Sequence, residues 1–188
     1  PNNNTNRPVR GIHDNVIKFW GIYPDYIRQA FTYTFTAGLA DPNKRIIENE
    51  WQKLFTRLRA EIVSCQCGRT TFLSAFENLG DTTYRCQRCG TQFPTLSFSN
   101  VDYRIPIYQN ARLYACITET ACDDFSRITG EVIENRLKKG MLGIRNMSDK
   151  VWDVKMPDGN FYHIDYEKGF PIWEDLEIKF GDITAKIK

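Results

Sequence analysis

The stretch SCQCGRTTFLSAFENLGDTTYRCQRCGTQF, Ser64–Phe93, decides the architecture of this chain. It holds four of the six cysteines in two close pairs, and each pair is followed by a glycine. Cys65 and Cys67 form a C-x-C-G turn, and Cys86 and Cys89 form C-x-x-C-G after eighteen intervening residues. A tetrahedral zinc ion takes four ligands, and two short turns facing each other across a hairpin supply them. Gly68 and Gly90 suit such turns, because glycine accepts φ > 0 and lets backbone N–H groups point at the thiolates. Four thiolates on Zn²⁺ leave a local charge of about −2, and Arg69, Arg85 and Arg88 lie beside the ligands to offset it. Two other readings compete. Disulfides need an oxidising compartment, and cysteines one residue apart rarely bridge. A redox motif uses one C-x-x-C after a strand. The spacing favours Cys65, Cys67, Cys86 and Cys89 as ligands of one structural Zn²⁺, with no open coordination position and so no catalytic role.

The remaining thiols, Cys116 and Cys122, have even spacing that suits one strand face or a turn. Buried free cysteine is the preferred reading over a second metal site. His13 and His163 stand far apart in sequence and read as structural or surface residues.

Outside this stretch the text changes character on both sides. Residues 1–63 read as a helical segment, 64–95 as a zinc ribbon and 96–188 as an all-β module, giving a multi-part α+β chain. "PNNNTNRPVRGIHDN" is an irregular lead-in. "PDYIRQAFTYTFTAGL" carries Ile27, Ala30, Phe31, Thr34 and Phe35 at helical spacing, opened by Pro24 and closed by Gly38. "NKRIIENEWQKLFTRLRAEIV" carries a second stripe of Ile47, Trp51, Leu54, Phe55, Leu58 and Ile62. Two such helices bury their stripes only marginally against each other, so a further cover is expected from missing chain, the zinc module or a partner.

From residue 96 onward, "RIPIY", "ARLYACIT", "GEVIEN", "MLGIRNM", "VWDVKM", "NFYHIDY" and "LEIKF" read as short strands separated by "PDGN", "EKGFP" and "FGD". Asp158-Gly159 marks the clearest hairpin. It puts Trp152, Val154 and Met156 on one face of the first strand, and Phe161 and His163 on one face of the second. Regular spacing of this kind implies a sandwich or barrel, and Trp152 is expected inside it.

Composition bounds the function. The 188 residues carry a formal charge of +2 and are 41% hydrophobic, enough for one sizeable core or two or three small ones. Basic and acidic residues number nine and six over 1–63, three and two over 64–94, and thirteen and fifteen over 95–188. No segment has the clustered positive field of a nucleic-acid binder. The sequence shows no run of about 18 apolar residues and no signal peptide, so the expectation is a cytoplasmic protein without a membrane span. A first residue of proline, not methionine, suggests a fragment.

Two resemblances add to this reading. "FTAGLADPNKRIIENEWQKLF" resembles the end of a bacterial Ser/Thr protein-kinase catalytic domain, where G-L-x-[DN]-P-x-x-R precedes a last helix with E-W-x-x-x-[LF]. It covers about residues 20–62, and Arg45 matches the kinase arginine that pairs with the glutamate closing the activation segment. The phosphate loop, the V-A-I-K lysine, the H-R-D catalytic loop and the D-F-G magnesium site are missing. The chain alone is therefore expected not to be an enzyme. The order "GIRNMSDKVWDVKMPDGN…YEKGFPIWEDLEIKFG" resembles a forkhead-associated (FHA) domain over about 104–188. That family reads phosphothreonine through an arginine after a glycine, an S-x-x-H loop and an asparagine. Here Glu131 follows Gly130 and no S-x-x-H occurs, so an FHA-like scaffold without phosphothreonine reading is expected, with Arg145, Asn146 and Ser148 as the residues that could still be recruited.

Kinases of this kind resemble members of a phosphorylation system linked to tellurite resistance, in which a kinase, a phosphatase and a von Willebrand A-domain protein are encoded together. The resemblance implies a non-catalytic kinase C-terminal region that docks a protein partner, the A-domain protein among the candidates. The alternative is a zinc-ribbon nucleic-acid-binding protein, against which the balanced charge argues.

Overall fold

A computed structural model describes residues 8–77, 80 and 83–188. Residues 1–7 of the expected irregular lead-in lie outside the described residues. A short helix, α1 (Asp14–Phe19), and a 3-10 turn, Trp20–Ile22, follow where no helix was expected. Helix α2 (Asp25–Thr34) opens at Pro24, whose carbonyl accepts from Ile27 and Arg28 N–H. It stops at Thr34, and after two residues a separate turn of helix, α3 (Ala37–Ala40), follows; the expected single helix is two. The break has a local cause: the Thr36 hydroxyl bonds the Thr32 carbonyl at 2.7 Å, a side-chain alternative to the backbone ladder. Asp41 then turns the chain by accepting from Asn43 N–H. Helix α4 (Glu48–Ala60) begins with Glu48 and Glu50 and ends with Arg57 and Arg59, which suits its dipole.

The helical stripes are not sealed. Ile27 and Ala30 are buried on α2, but α4 buries no residue fully, with Ile47 62% and Phe55 46% exposed. The two helices meet through rings: Phe31 lies 4.9 Å from Trp51 and 6.4 Å from Phe55. The C-terminal end of α4 is better anchored. Ala60 packs on the main core, and Arg57 pairs with buried Glu61 at 2.7 Å while lying over Tyr26 and Tyr103. Arg59 sits 3.6 Å over the Tyr114 ring.

Strands β1 (Ile62–Ser64) and β2 (Thr70–Phe72) form a small antiparallel ribbon that carries the first cysteine turn, and α5 (Leu73–Glu77) follows. The rest of the chain is β structure: β3 (Thr95–Phe98), β4 (Arg104–Pro106), β5 (Arg112–Tyr114), a helical turn α6 (Ala115–Thr118), β6 (Ile128–Glu134), β7 (Leu142–Asn146), β8 (Trp152–Lys155), β9 (Phe161–Ile164), β10 (Gly169–Pro171), β11 (Glu177–Phe180) and β12 (Ile183–Ile187). They form an antiparallel four-stranded sheet, β10-β7-β6-β5, and an antiparallel six-stranded sheet, β4-β3-β12-β11-β8-β9. One core joins them: Leu113, Val132, Ile144 and Phe170 from the first sheet meet Leu96, Trp152, Val154, Ile178 and Ile187 from the second.

Seven expected strand segments contain strands, although "ARLYACIT" becomes helical at Ala115. Three strands were not expected. β3 is short, β10 is hidden in the turn-like "EKGFP", and β12 alternates with a small Ala185 between Ile183 and Ile187. Pro171 is tolerated because β10 is an edge strand. The Asp158-Gly159 hairpin forms as read, with Lys155 opposite Phe161 and Gly159 at φ +87°. No helix among the described residues is long and apolar enough to cross a membrane.

Candidate metal centre

The first cysteine turn leaves β1 and returns to β2. Cys65 N–H donates to the Arg69 carbonyl and Gly68 N–H to the Cys65 carbonyl, each at 2.9 Å. The second turn repeats this geometry: Cys86 N–H donates to Thr91 and Gly90 N–H to Cys86, each at 2.8 Å. Gly68 at φ +85° and Gly90 at φ +74° occupy the left-handed region expected of them.

The two turns face each other and bring the four thiols together. Cys65 Sγ lies 3.4 Å from Cys89 Sγ, Cys67 Sγ lies 3.7 Å from Cys86 Sγ, and all four sulfurs lie within 4.8 Å of one another. A tetrahedral ion with metal–sulfur bonds of about 2.3 Å spaces its ligands by about 3.8 Å. The observed set is therefore compatible with one metal ion. Each short contact runs between the turns, not within one.

The surroundings grade the four sulfurs. Burial pushes the Cys65 thiol up to about 12, opposed in part by the Cys67 N–H. At Cys86 the thiol is lowered, because the N–H groups of Arg88 and Cys89 donate to its sulfur. At Cys89 it falls to about 6, through the Thr91 hydroxyl, the Thr91 N–H and the Cys65 thiol in that order. Donors aimed at sulfur are what thiolate ligands require. Thr91, whose hydroxyl lies 3.2 Å from Cys89 Sγ, went unnoticed in the sequence; its signal was a hydroxyl residue two places after the last cysteine. The three arginines make neutral contacts nearby: Arg88 with the Cys67 carbonyl, Arg69 with Gln87 and Arg85 with Gln92.

Beneath the thiols lies a small core of Val63, Leu73, Phe76, Tyr84 and Phe93, closed by Cys65 and Cys86. Phe76 lies 6.3 Å from both Tyr84 and Phe93. A core this small cannot hold a fold by burial alone. It is tied to the larger core by Tyr108, which packs against both, by Arg104 donating to the Tyr84 hydroxyl at 3.1 Å, and by a Gln66–Gln109 bond of 2.7 Å.

The other candidates are placed elsewhere. Cys116 and Cys122 are half-buried and free, and among the described residues they join no metal-capable cluster. Burial raises the Cys116 thiol. His13 accepts from Val9 N–H, and His163 pairs with Asp153 at 2.7 Å. Arg145 is held by Glu131 at 2.5 Å. Asn146 and Ser148 are buried and bonded to each other, and Asn146 also donates to the Lys150 and Ile164 carbonyls. Arg45 Nε donates to the Gly38 carbonyl at 2.9 Å, bracing the α3–α4 turn. Compared with known families and curated proteins, the chain matches no family model and no curated sequence.

Proposed function

We propose that this chain is a non-catalytic docking region of a bacterial Ser/Thr kinase signalling system, stapled by one structural zinc ion on Cys65, Cys67, Cys86 and Cys89. The observation that carries the reading is the four-thiol cluster itself. Four sulfurs fill a tetrahedral ion's coordination, so the best-defined site in the molecule is suited to holding structure together and not to activating water or substrate. A bound zinc would supply folding free energy to the ribbon by cross-linking its two turns. The chain's own part is to present Cys86 and Cys89 with N–H and hydroxyl donors and to seat Cys65 on the Phe76–Tyr84–Phe93 cluster.

The finer assignments rest on the parts around this site. The resemblance of "GLADPNKR" and the helix after it to the end of a kinase lobe supports the kinase part of the reading, and Arg45 there donates to the Gly38 carbonyl. Two antiparallel sheets around one core fit an FHA-like sandwich. The engagement of Arg145 by Glu131, and the burial of Asn146 and Ser148, support a scaffold that does not read phosphothreonine. Recognition then falls to loops and grooves on a rigid frame.

The test is binding of a purified von Willebrand A-domain protein from the same system to the full chain, immobilised with its metal. The expected result is saturable binding lost on chelation, with no saturable micromolar ATP–magnesium binding by calorimetry. Failure to bind the A-domain protein, or ATP binding of that kind, overturns the reading. A visible absorption band with iron in the metal analysis would replace zinc by iron at the same thiols.

A further inference from the structure

Where the ribbon meets the sandwich the surface is hollowed. A cleft of about 590 Å³ opens between Gln66 and Phe93 of the cysteine-bearing part and Ile107, Met141, Leu142 and Ile172 of the sandwich. A second hollow, of about 480 Å³, adjoins it and shares Met141 and Leu142, continuing to Lys138, Phe170 and Trp173. The lining mixes apolar residues with polar ones such as Gln66, Gln92, Gln109 and Lys138, and the two hollows meet at Met141 and Leu142. That outline suits an extended chain better than a compact ligand.

The β6–β7 hairpin contributes Met141 and Leu142 to both hollows, and its tip is stitched rather than loose. Asn135 Oδ1 accepts from Leu137 and Lys138 N–H, Glu134 Oε1 accepts from Gly140 N–H at 2.6 Å, and Asn135 N–H donates to the Met141 carbonyl. This ordered tip carries Arg136, Lys138 and Lys139, none of which forms an ion pair among the described residues. Glu134 is the one carboxylate of the tip, residues 134–141, and it is engaged by Gly140 N–H and by Gln109 at 3.5 Å. Between the cations Leu137 stands 95% exposed. An ordered backbone that presents three unpaired cations and a leucine together suits an oppositely charged, partly apolar partner.

We propose that the paired hollows bind an extended protein segment that alternates acidic and apolar residues. Its apolar side chains would seat on Met141, Leu142 and Ile172, and its carboxylates would meet Arg136, Lys138 and Lys139. Charge complementarity fixes the class: Lys138 lines the second hollow, Arg136 and Lys139 stand on the same tip, and the tip's one carboxylate, Glu134, is already engaged. The mode is side-chain docking and not strand addition. The sheet edge at the second hollow is β10, three residues long and lacking a donor at Pro171. This inference rests on the docking reading above and names the surface and the partner chemistry.

The experiment measures fluorescence anisotropy of a fluorescein-labelled peptide that alternates leucine or phenylalanine with glutamate or aspartate, titrated with the full zinc-loaded chain. Two control peptides replace every acid by lysine or every apolar residue by serine. The acidic apolar peptide is expected to bind at least tenfold tighter than either control, and to weaken as salt is raised. The combined variant Arg136→Glu, Lys138→Glu, Lys139→Glu alters exposed side chains alone and is expected to weaken it at least tenfold further. Equal binding of the three peptides, or no effect of the charge reversal, overturns the proposal. So does peptide-independent sedimentation of the chain with phosphatidylserine vesicles that the reversal abolishes, which would assign the hairpin to a lipid surface. If the reversed variant still binds the A-domain protein while wild-type chain binds no peptide, the groove assignment fails and the docking reading stands. If neither protein nor peptide binds wild-type chain, both fail.

Discussion

Replacing Trp152 tests how the sandwich is held together. Its ring is 1% exposed, meets Phe180 edge-on at 4.6 Å, and reaches the opposite sheet at Gly130. Its Nε1–H donates to Ser148 Oγ at 3.1 Å. Trp152→Ala leaves a cavity where the two sheets touch, and buried Trp or Phe to Ala changes cost about 3–5 kcal/mol. A domain has about 5–15 kcal/mol in total, so the loss takes a large share of what this module has. Trp152→Phe keeps most of the ring but loses the hydrogen bond. Ser148 Oγ still donates to Asn146 Oδ1 at 2.7 Å, so no buried hydroxyl is orphaned, and about 1–2 kcal/mol is expected. The assay is equilibrium urea unfolding of the metal-saturated chain followed by far-UV circular dichroism, a signal that does not depend on the replaced indole. With a slope of about 2 kcal/mol/M, Trp152→Ala lowers the midpoint by about 2 M and Trp152→Phe by less than half of that. An alanine variant within about 1 kcal/mol of wild type, or a phenylalanine variant as weak as the alanine one, would refute the reasoning.

Three further outcomes are expected. A Cβ at Gly130 would lie 2.8 Å from Trp152 Cη2 and 3.1 Å from Leu113 Cδ1, so Gly130→Ala is expected to destabilise by about 1–3 kcal/mol in the same unfolding assay. Combining it with Trp152→Phe removes the obstructing ring atoms, and the double variant is expected to be less unstable than the sum of the two. The Glu119 carboxyl accepts from both terminal nitrogens of Arg127 at 2.9 Å and from Lys150 Nζ at 3.2 Å, and these donors, Arg127 foremost, hold it below the ordinary range. A depressed folded-state pKa gives stability that is present above the unfolded value of about 4.3 and is lost as pH falls through the folded one. Glu119→Gln is therefore expected to lower the melting temperature at pH 7, with the gap to wild type closing below about pH 4. A gap independent of pH in thermal scans would contradict the pairing.

The cysteine turns were legible because their chemistry is local: short spacing, a following glycine and a tetrahedral requirement fix which four thiols meet. Trp152, Val154 and the Asp158-Gly159 hairpin were legible for a similar reason, since alternation along one strand and the turn beside it carry the signal. The helical stripes misled in part. Periodicity identifies an apolar face but not what covers it, and Ile47 and Phe55 remain exposed. Helix α2 ended early because the Thr36 hydroxyl competes for a carbonyl, an effect that a moment of hydrophobicity does not register. β10 and β12 escaped because a Gly-Phe-Pro edge strand looks like a turn and Ala185 weakens the alternation. The paired hollows could not be read at all. Their walls come from residues near 66, 93, 107, 141 and 172, and only the packing of the ribbon on the sandwich brings these together.

Metal stoichiometry of the full chain, purified without chelator under reducing conditions, tests the central claim most directly. Elemental analysis is expected to give about one zinc per chain, lost in Cys86→Ala, whose buried sulfur lies 3.7 Å from Cys67 Sγ. In Cys122→Ala, outside the cluster, zinc is expected to be retained. A metal-free chain in which Cys65, Cys67, Cys86 and Cys89 all react with a thiol reagent as readily as Cys122, or zinc that persists in Cys86→Ala, would contradict it.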